Sequence, residues 1–452
     1  MIEGLLHSMI VCPDTDRQYP RVTHGKGVFL YDENGREYLD ASSGSAAVSN
    51  LGYGLTELAD VIAAQMARIA VTPTHAFSSP ETESYLKALV DFAPPGFKRA
   101  WTASSGTEGV ENAVKAALQY HQLRGDNDRY KIISRWSSYH GNSIFMLDIG
   151  GMRYRRESYA KWLNNFPHIS PAYKYRLGDG LTEEEYTAHC LAEFENCIKE
   201  NDPTTIAAFV AEPVVGAALG AVPPPAGYFT GIRNLCDQYG ILFIVDEVMT
   251  GYGRLGTNFG IEKFAATPDI IAAGKGIGGG YYPLSAVIVS EKIAQIFEET
   301  KRPFLGGHTF ACNPVGAAAG QFVIEYMQKT KLVENASIQG KTFGRLLKEL
   351  EDVEIIGDVR GEGLMWGLEF VSDKVKKTPF PRELNISKAV AREAFSRGLI
   401  IYPGGGSADG ILGDHMLICP PLCISEKEIE QLVHILKNAV LSVVSEMSEY
   451  SV

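Results

Sequence analysis

The run ILFIVDEVMTGYGRLGTNFG, residues 241–260, continued by IEKFAATPDIIAAGKGIGGG, residues 261–280, decides the fold. Inside it, residues 241–245 and 270–273 are apolar at every position and of strand length. A strand that is apolar on consecutive positions is buried on both faces, the habit of parallel sheets covered by helices. Each run meets a residue that an apolar interior rejects: Asp246 closes the first, and Lys275 stands just past the second. Ligands of such sheets bind beyond the carboxyl ends of the strands. If both runs share one sheet, a carboxylate and an amine 29 positions apart reach one pocket. Taken singly, the lysine reads as a solvated loop residue and the aspartate as a helix cap.

Outward from this centre, residues 206–211 form a third buried strand, ending on Glu212-Pro213. The stretch RAWTASSGTEGVENAVKAALQYH, residues 99–121, divides into a strand (99–103), a small-residue turn (104–107) and an amphipathic helix (108–121). Free N–H groups of a first helical turn, with glycine allowing close approach, make an anion site. The same donors serve an ordinary cap by Ser105 or Thr107, with Glu111 four residues beyond Thr107. A short strand at 131–134 leads to Tyr139-His140-Gly141, and 284–290 reads as another strand before a helix at 291–299. Because a strand follows the glycine run 276–280, that run is no dinucleotide fingerprint, which needs a helix there.

Toward the N-terminus, GVFLYDENGREYLDASSG, residues 27–44, reads as a hairpin turning at 32–35. A helix starts near Leu58, with Val61, Ile62, Gln65, Met66 and Ile69 at helical spacing on its core face. Residues 150–200 read as an irregular excursion plus a helix at 183–199, and Arg153-Tyr154-Arg155-Arg156 as a solvated loop. After a helix at 313–328, the remainder alternates helix (338–350), strand (365–371), helix (387–397) and helix (426–445).

The chain has 452 residues, 45% hydrophobic and 21% charged, the balance of a soluble globular protein of two domains. Three parts are expected: an N-terminal arm (1–58), a large domain (59–329) and a small α+β domain (330–452). A net charge of −12 argues against nucleic acid. Seven cysteines without a CxxC pair suit reduced thiols in a cytoplasm and supply no metal site. The start MIEGLLHSMIVCPD is no secretion signal, and the apolar stretch 206–225, broken by Glu212 and prolines, is no membrane span.

The ordered text DEVMTGYGR (246–254) and AAGKGIGGGYYPLSA (272–286) resembles the signature of class III aminotransferases, pyridoxal phosphate enzymes of fold type I. The likeness extends to SSGTE at 104–108, to the tyrosine-histidine-glycine at 139–141, to Gly306-Gly307-His308-Thr309-Phe310, and to DVRGEGLMWGLEF at 358–370. It implies a large domain with a mostly parallel sheet and a smaller α+β C-terminal domain. It implies that Lys275 carries pyridoxal 5'-phosphate, that Asp246 pairs with the ring nitrogen and that Tyr139 stacks on the ring. Gly106 and Thr107 would take the phosphate, Val248 would join the cofactor-binding set, and Glu212 would support it. Thr309 would reach the phosphate of the neighbouring subunit, which implies a homodimer with shared active sites.

The expected reaction moves an amino group from an ω-amino acid or amine to a keto acid such as pyruvate. The same fold and residues also serve racemases, epimerases and amine or phosphoamine lyases. Two departures bear on substrate. Met249 stands where many members that handle amino acids have glutamine. Leu417 stands three residues before Pro420-Pro421, where a carboxylate-binding arginine belongs, and no arginine occurs between Arg397 and Pro420. Ala46 falls where relatives hold a pocket aromatic, and Asp409, Asp414 and His415 read as a solvated loop.

Overall fold

The computed structural model describes residues 19–449, so Cys12 and the reading of the N-terminal stretch lie outside the described residues. The hairpin forms as β1 (Val22–Lys26), β2 (Phe29–Asp32) and β3 (Glu37–Asp40). Asp32 closes the β2–β3 turn by accepting from the N–H groups of Asn34 and Arg36, both at 2.9 Å. Two helices come next, α1 (Thr56–Arg68) and α2 (Pro80–Phe92), the second capped by Ser79 with proline at its first position. Of the face expected on α1, Leu58 and Gln65 are buried and Val61 and Ile62 partly so, whereas Met66 and Ile69 are exposed, a correction at those two positions.

The central sheet contains β4 (Phe97–Ala103), β5 (Lys131–Arg135), β6 (His168–Ile169), β7 (Ile206–Ala211), β8 (Leu242–Glu247), β9 (Ile270–Ala273) and β10 (Ser285–Ser290). Their order across the sheet is β4-β10-β9-β8-β7-β5-β6. All run the same way except β10, which is antiparallel to both of its neighbours. Every residue of β7, β8 and β9 is buried, because helices cover both faces. Around the sheet lie α3 (Gly106–Leu123), α7 (Glu183–Glu200), α8 (Tyr228–Tyr239), α9 (Glu291–Thr300) and α10 (Pro314–Lys329). The excursion after β5 is more regular than expected, carrying the short helices α4 (Ile144–Ile149), α5 (Arg153–Glu157) and α6 (Lys174–Leu177) before α7.

A second, antiparallel sheet is ordered β11-β12-β15-β14, from β11 (Ile356–Glu362), β12 (Met365–Phe370), β14 (Tyr402–Gly405) and β15 (Asp414–Ile418). The helices α11 (Leu332–Lys348), α12 (Ile386–Ser396) and α13 (Glu426–Glu449) pack with it. The two-residue strand β13 (Leu399–Ile400) pairs in parallel with β3, so the beginning and the end of the chain complete one sheet. Among the described residues no helix is long and apolar enough to cross a membrane, and the six described cysteines are free.

Candidate active site

Because β4, β5, β7, β8 and β9 run the same way, their carboxyl ends arrive at one edge of the sheet. The residues at or just past those ends are Ser104–Gly106, Trp136–Tyr139, Glu212, Asp246 with Val248, and Lys275. The register is direct: Asp246 stands opposite Ala272 on the neighbouring β9, three residues before Lys275.

Lys275 leaves β9 with a left-handed backbone, φ +47°, a conformation that costs a non-glycine residue of order 1–3 kcal/mol. Its neighbours hold it there. A Cβ on Gly274 would lie 3.1 Å from Val248 Cγ1 and 3.2 Å from Gly106 Cα, and one on Gly276 would strike the Asn50 side chain. Among the described residues Lys275 Nζ enters no hydrogen bond or ion pair. Burial lowers its pKa, and the nearby Asp246 charge opposes that shift.

Asp246 is 4% exposed and fully partnered. Its Oδ1 accepts from the Val248 N–H at 3.0 Å, and its Oδ2 lies 2.8 Å from His140 Nδ1. Among the described residues His140 Nε2 is buried without a partner. Through its Nδ1 contact His140 orients the carboxylate. Glu212 fixes the adjoining loops, accepting from Tyr139 N–H at 3.1 Å through Oε1 and from Gly216 N–H at 2.8 Å through Oε2. Burial raises its pKa, with His140 opposing.

At the start of α3, Ser105 is the cap: its Oγ accepts from Glu108 N–H at 3.3 Å, while Glu108 Oε2 accepts from Ser104 N–H at 2.8 Å. Thr107 is not a cap, and Glu111 turns away to accept from Ser143 Oγ at 3.0 Å. Among the described residues the Gly106 and Thr107 N–H groups have no partner. Thr107 Oγ1 accepts from Asn142 N–H at 3.3 Å. Val248 floors this turn, since a Cβ on Gly106 would stand 2.8 Å from its Cγ1. The turn and the lysine share a cavity of about 430 Å³, lined by Ser105, Gly106, Lys275 and Tyr282 among others. Thr309 is exposed and is not among the cavity's lining residues within one chain.

Several neighbours of the site were not singled out by sequence. His140 had a signal, its place beside Tyr139. Arg254 had only its place at the end of the 246–254 run. It is fully buried, donating to the carbonyls of Leu364 (3.0 Å) and Pro420 (2.5 Å) and to Asn50 Oδ1 (2.7 Å), and burial lowers its pKa to about 10. It ties the N-terminal segment to the C-terminal one beside Lys275. Two expectations for the polar segments are corrected. Asp414 and His415 are buried in β15, Asp414 accepting from Ser387 Oγ at 2.8 Å, and only Asp409 stays solvated. Nor is 153–156 a solvated loop, because Arg156 is buried and Arg155 half-buried.

This donor set suits pyridoxal phosphate. Two unclaimed amides at a helix start suit a phosphate, an uncommitted lysine suits an aldehyde, and a buried carboxylate suits a protonated ring nitrogen. The sequence matches the family model for class-III aminotransferases over residues 12–440. It is 39% identical over 429 residues to an uncharacterised aminotransferase of Schizosaccharomyces pombe, covering 94% of this chain and 93% of that protein. The crystal structure of an (S)-enantioselective omega-transaminase from Thermomicrobium roseum matches with a TM-score of 0.90 at 35% identity, covering 98% of this chain and 97% of that one. A PMP-bound aminotransferase from Vibrio fluvialis matches with a TM-score of 0.90 at 32% identity, over the same shares. The fold, the amine-and-carboxylate edge of its sheet and these likenesses agree: the chain belongs to the class III aminotransferases, fold type I transaminases that depend on pyridoxal phosphate.

Proposed function

We propose that the enzyme takes its amino group from an amine or ω-amino acid and gives it to a keto acid such as pyruvate. The observation that carries this reading is the character of the C-terminal strand. Leu417 is fully buried in an apolar cluster with Ala46, Met249, Met365 and Cys419, so no guanidinium reaches the site from that position. An α-carboxylate on the donor loses the bidentate partner that arginine would give it there. The Thermomicrobium roseum neighbour, an omega-transaminase, supports the same donor class.

In this reading Lys275 Nζ holds the cofactor's aldehyde, Gly106 and Thr107 offer their amides to the phosphate, and Val248 packs beneath. Tyr139 and Asp246 serve the ring face and ring nitrogen. Bound pyridoxal phosphate supplies an electron sink for the carbon that carries the amine. Once an incoming amine has taken its place on the aldehyde, the freed Lys275 Nζ would take the proton from that carbon, and burial favours the neutral amine this requires. General acid–base transfer of this kind contributes roughly 10²–10⁴-fold. Asp246, held in place by His140 and the Val248 N–H, would serve the ring nitrogen from there.

We further read the enzyme as a cytoplasmic homodimer in which Thr309 faces the partner's site. The segments around 70–82 and 303–313 adjoin, through Asn313 Nδ2 to the Ala70 carbonyl (2.7 Å) and Thr82 Oγ1 to the Cys312 carbonyl (3.1 Å). They leave Phe77 66%, Leu305 78% and Phe310 53% exposed, apolar groups of the kind subunit interfaces cover. Purified enzyme given an ω-amine and pyruvate should form alanine and run as a dimer in light scattering. Turnover of the amine with no keto acid present would instead make it a racemase or lyase.

A further inference from the structure

Three arginines stand close together in α5, and their surroundings separate them. Arg156 is spent on structure: its Nη1 donates to the carbonyls of Leu147 (2.6 Å), Asp148 (2.5 Å) and Gly150 (2.8 Å). Arg153 lays its stem over Gly410, where a Cβ would come within 2.8 Å of its Cδ, and sets its guanidinium 5.2 Å from the Trp136 ring. Arg155 turns the other way. Its Cζ lies 5.2 Å from the centre of the Tyr139 ring and 5.6 Å from that of Tyr154, and its Nε donates to Tyr154 Oη at 3.2 Å.

Among the described residues neither Nη of Arg155 has a hydrogen-bond partner, and no carboxylate lies within ion-pair distance. A half-buried cation without a counter-ion loses hydration that one hydrogen bond and two ring faces return only in part. Its surroundings place it at the rim of the active site. Tyr139 lies within electrostatic reach of both Arg155 and Asp246, and Tyr402 of both Arg155 and Cys419. Cys419 in turn lies within reach of Lys275. On the outer side Tyr154 lines a cleft of about 550 Å³ that also carries Arg153, Arg382 and Lys388, facing Glu157 and Asp414.

We propose that Arg155 receives the carboxylate of the keto acid acceptor, and of the amino acid made from it, in place of a guanidinium from the C-terminal strand. The planar fork, held edge-on by Tyr154 and backed by Tyr139, keeps both Nη groups for two parallel hydrogen bonds. The proposal rests on the keto acid reading above. It also explains how an enzyme with leucine at position 417 can use a keto acid as one substrate and an amine without an α-carboxylate as the other.

The test compares pyruvate with butanal, an acceptor without a carboxylate, in wild-type holoenzyme, Arg155→Met and Arg155→Lys. Arg155→Met should lower the ratio of kcat/KM for pyruvate over butanal by roughly 10- to 100-fold, chiefly through the KM for pyruvate. Arg155→Lys should recover part of that ratio, because it restores the charge but not the fork. Calorimetry supplies a readout independent of turnover: pyruvate should bind the aldehyde-form holoenzyme roughly 10- to 100-fold more weakly in Arg155→Met. A ratio that stays at the wild-type value, or pyruvate binding indifferent to the substitution, overturns the assignment and leaves Arg155 a packing partner of Tyr139. A wild type that uses butanal, refuses every keto acid and binds no pyruvate overturns the acceptor reading and Arg155's role together.

Discussion

The strand ends of the central sheet and the excursion between β5 and α7 face the same space by different means. At the strand ends, position follows from the backbone ladder. Asp246 and Lys275 are set by the β8–β9 register, and their immediate neighbours, Val248 and the glycines at 274 and 276, are local in sequence. The excursion has little ladder of its own, and is held by side chains reaching far along the chain. Tyr173 donates to Glu369, Arg176 Nη2 lies 2.5 Å from Glu369 Oε1, and Arg360 Nη1 lies 3.1 Å from Glu369 Oε2. Burial raises the Glu369 pKa, but Arg360 and then Arg176 outweigh it and hold the carboxyl below its usual range. A region positioned by a ladder keeps its geometry under most single substitutions. One positioned by a buried ion network depends on each member of the network.

The largest expected effect lies at the strand end. Lys275→Ala should cut transamination by roughly 10⁴-fold, the upper end for a lost general base, while leaving the fold intact by circular dichroism. An active variant would move the chemistry elsewhere. In the excursion the order of effects reverses. Glu369→Gln should cost about 3–5 kcal/mol of stability in a denaturant titration, because it strands buried guanidinium charge. If the unfolding midpoint does not move, the contrast between the two regions fails.

A smaller effect tests the floor of the phosphate turn. Gly106→Ala places a methyl group against Val248 and should weaken cofactor retention by about 1–3 kcal/mol, read by dialysis and absorbance. Val248→Ala in the same chain should recover part of it. A loss the second change does not touch would refer the effect to helix geometry rather than to that contact.

The smallest effect concerns pH. Burial pushes His121, on α3, and His168, in the excursion, down to about 4. From pH 6.5 to 4 the unfolded chain takes protons that the folded one refuses, so stability present above 6.5 is lost as pH falls. Glu247, pushed up by burial to about 7, acts oppositely, and its contribution is lost as pH rises from 4.5 to 7. His121→Gln should flatten the acid-side loss by up to about 1.4 kcal/mol per pH unit in urea midpoints. His168→Gln should flatten it less if the excursion opens ahead of the sheet, and an equal effect would put both regions in one cooperative unit.

Much of this was legible along the chain, for a reason that differs by region. The runs 206–211, 241–245 and 270–273 announce doubly buried strands, and a parallel sheet brings the residues after each strand to one edge. The placement of Asp246, Lys275, Glu212 and the turn at Gly106 at that edge was readable because it depends on that local succession. The arginines of α5 were not. Nothing in Arg153-Tyr154-Arg155-Arg156 says that one will be buried on three carbonyls, one laid over Gly410 and one turned toward Tyr139. Asp414 and His415 were misread for a related reason: their polarity suggested solvent, but β15 pairs with β12 on one side and β14 on the other.

The sequence by itself determined the buried strands of a mostly parallel sheet and the lysine, carboxylate and glycine turn beyond them, because hydrogen-bond ladders and buried faces are written in consecutive residues; the antiparallel direction of β10 came from the structure. Only the tertiary structure decided which distant groups close around that edge: His140 on Asp246, Arg254 between the two ends of the chain, Glu369 beneath the excursion and Arg155 against Tyr139. Such pairings depend on distances across the fold, between residues separated by up to some hundreds of positions, and no local pattern encodes them.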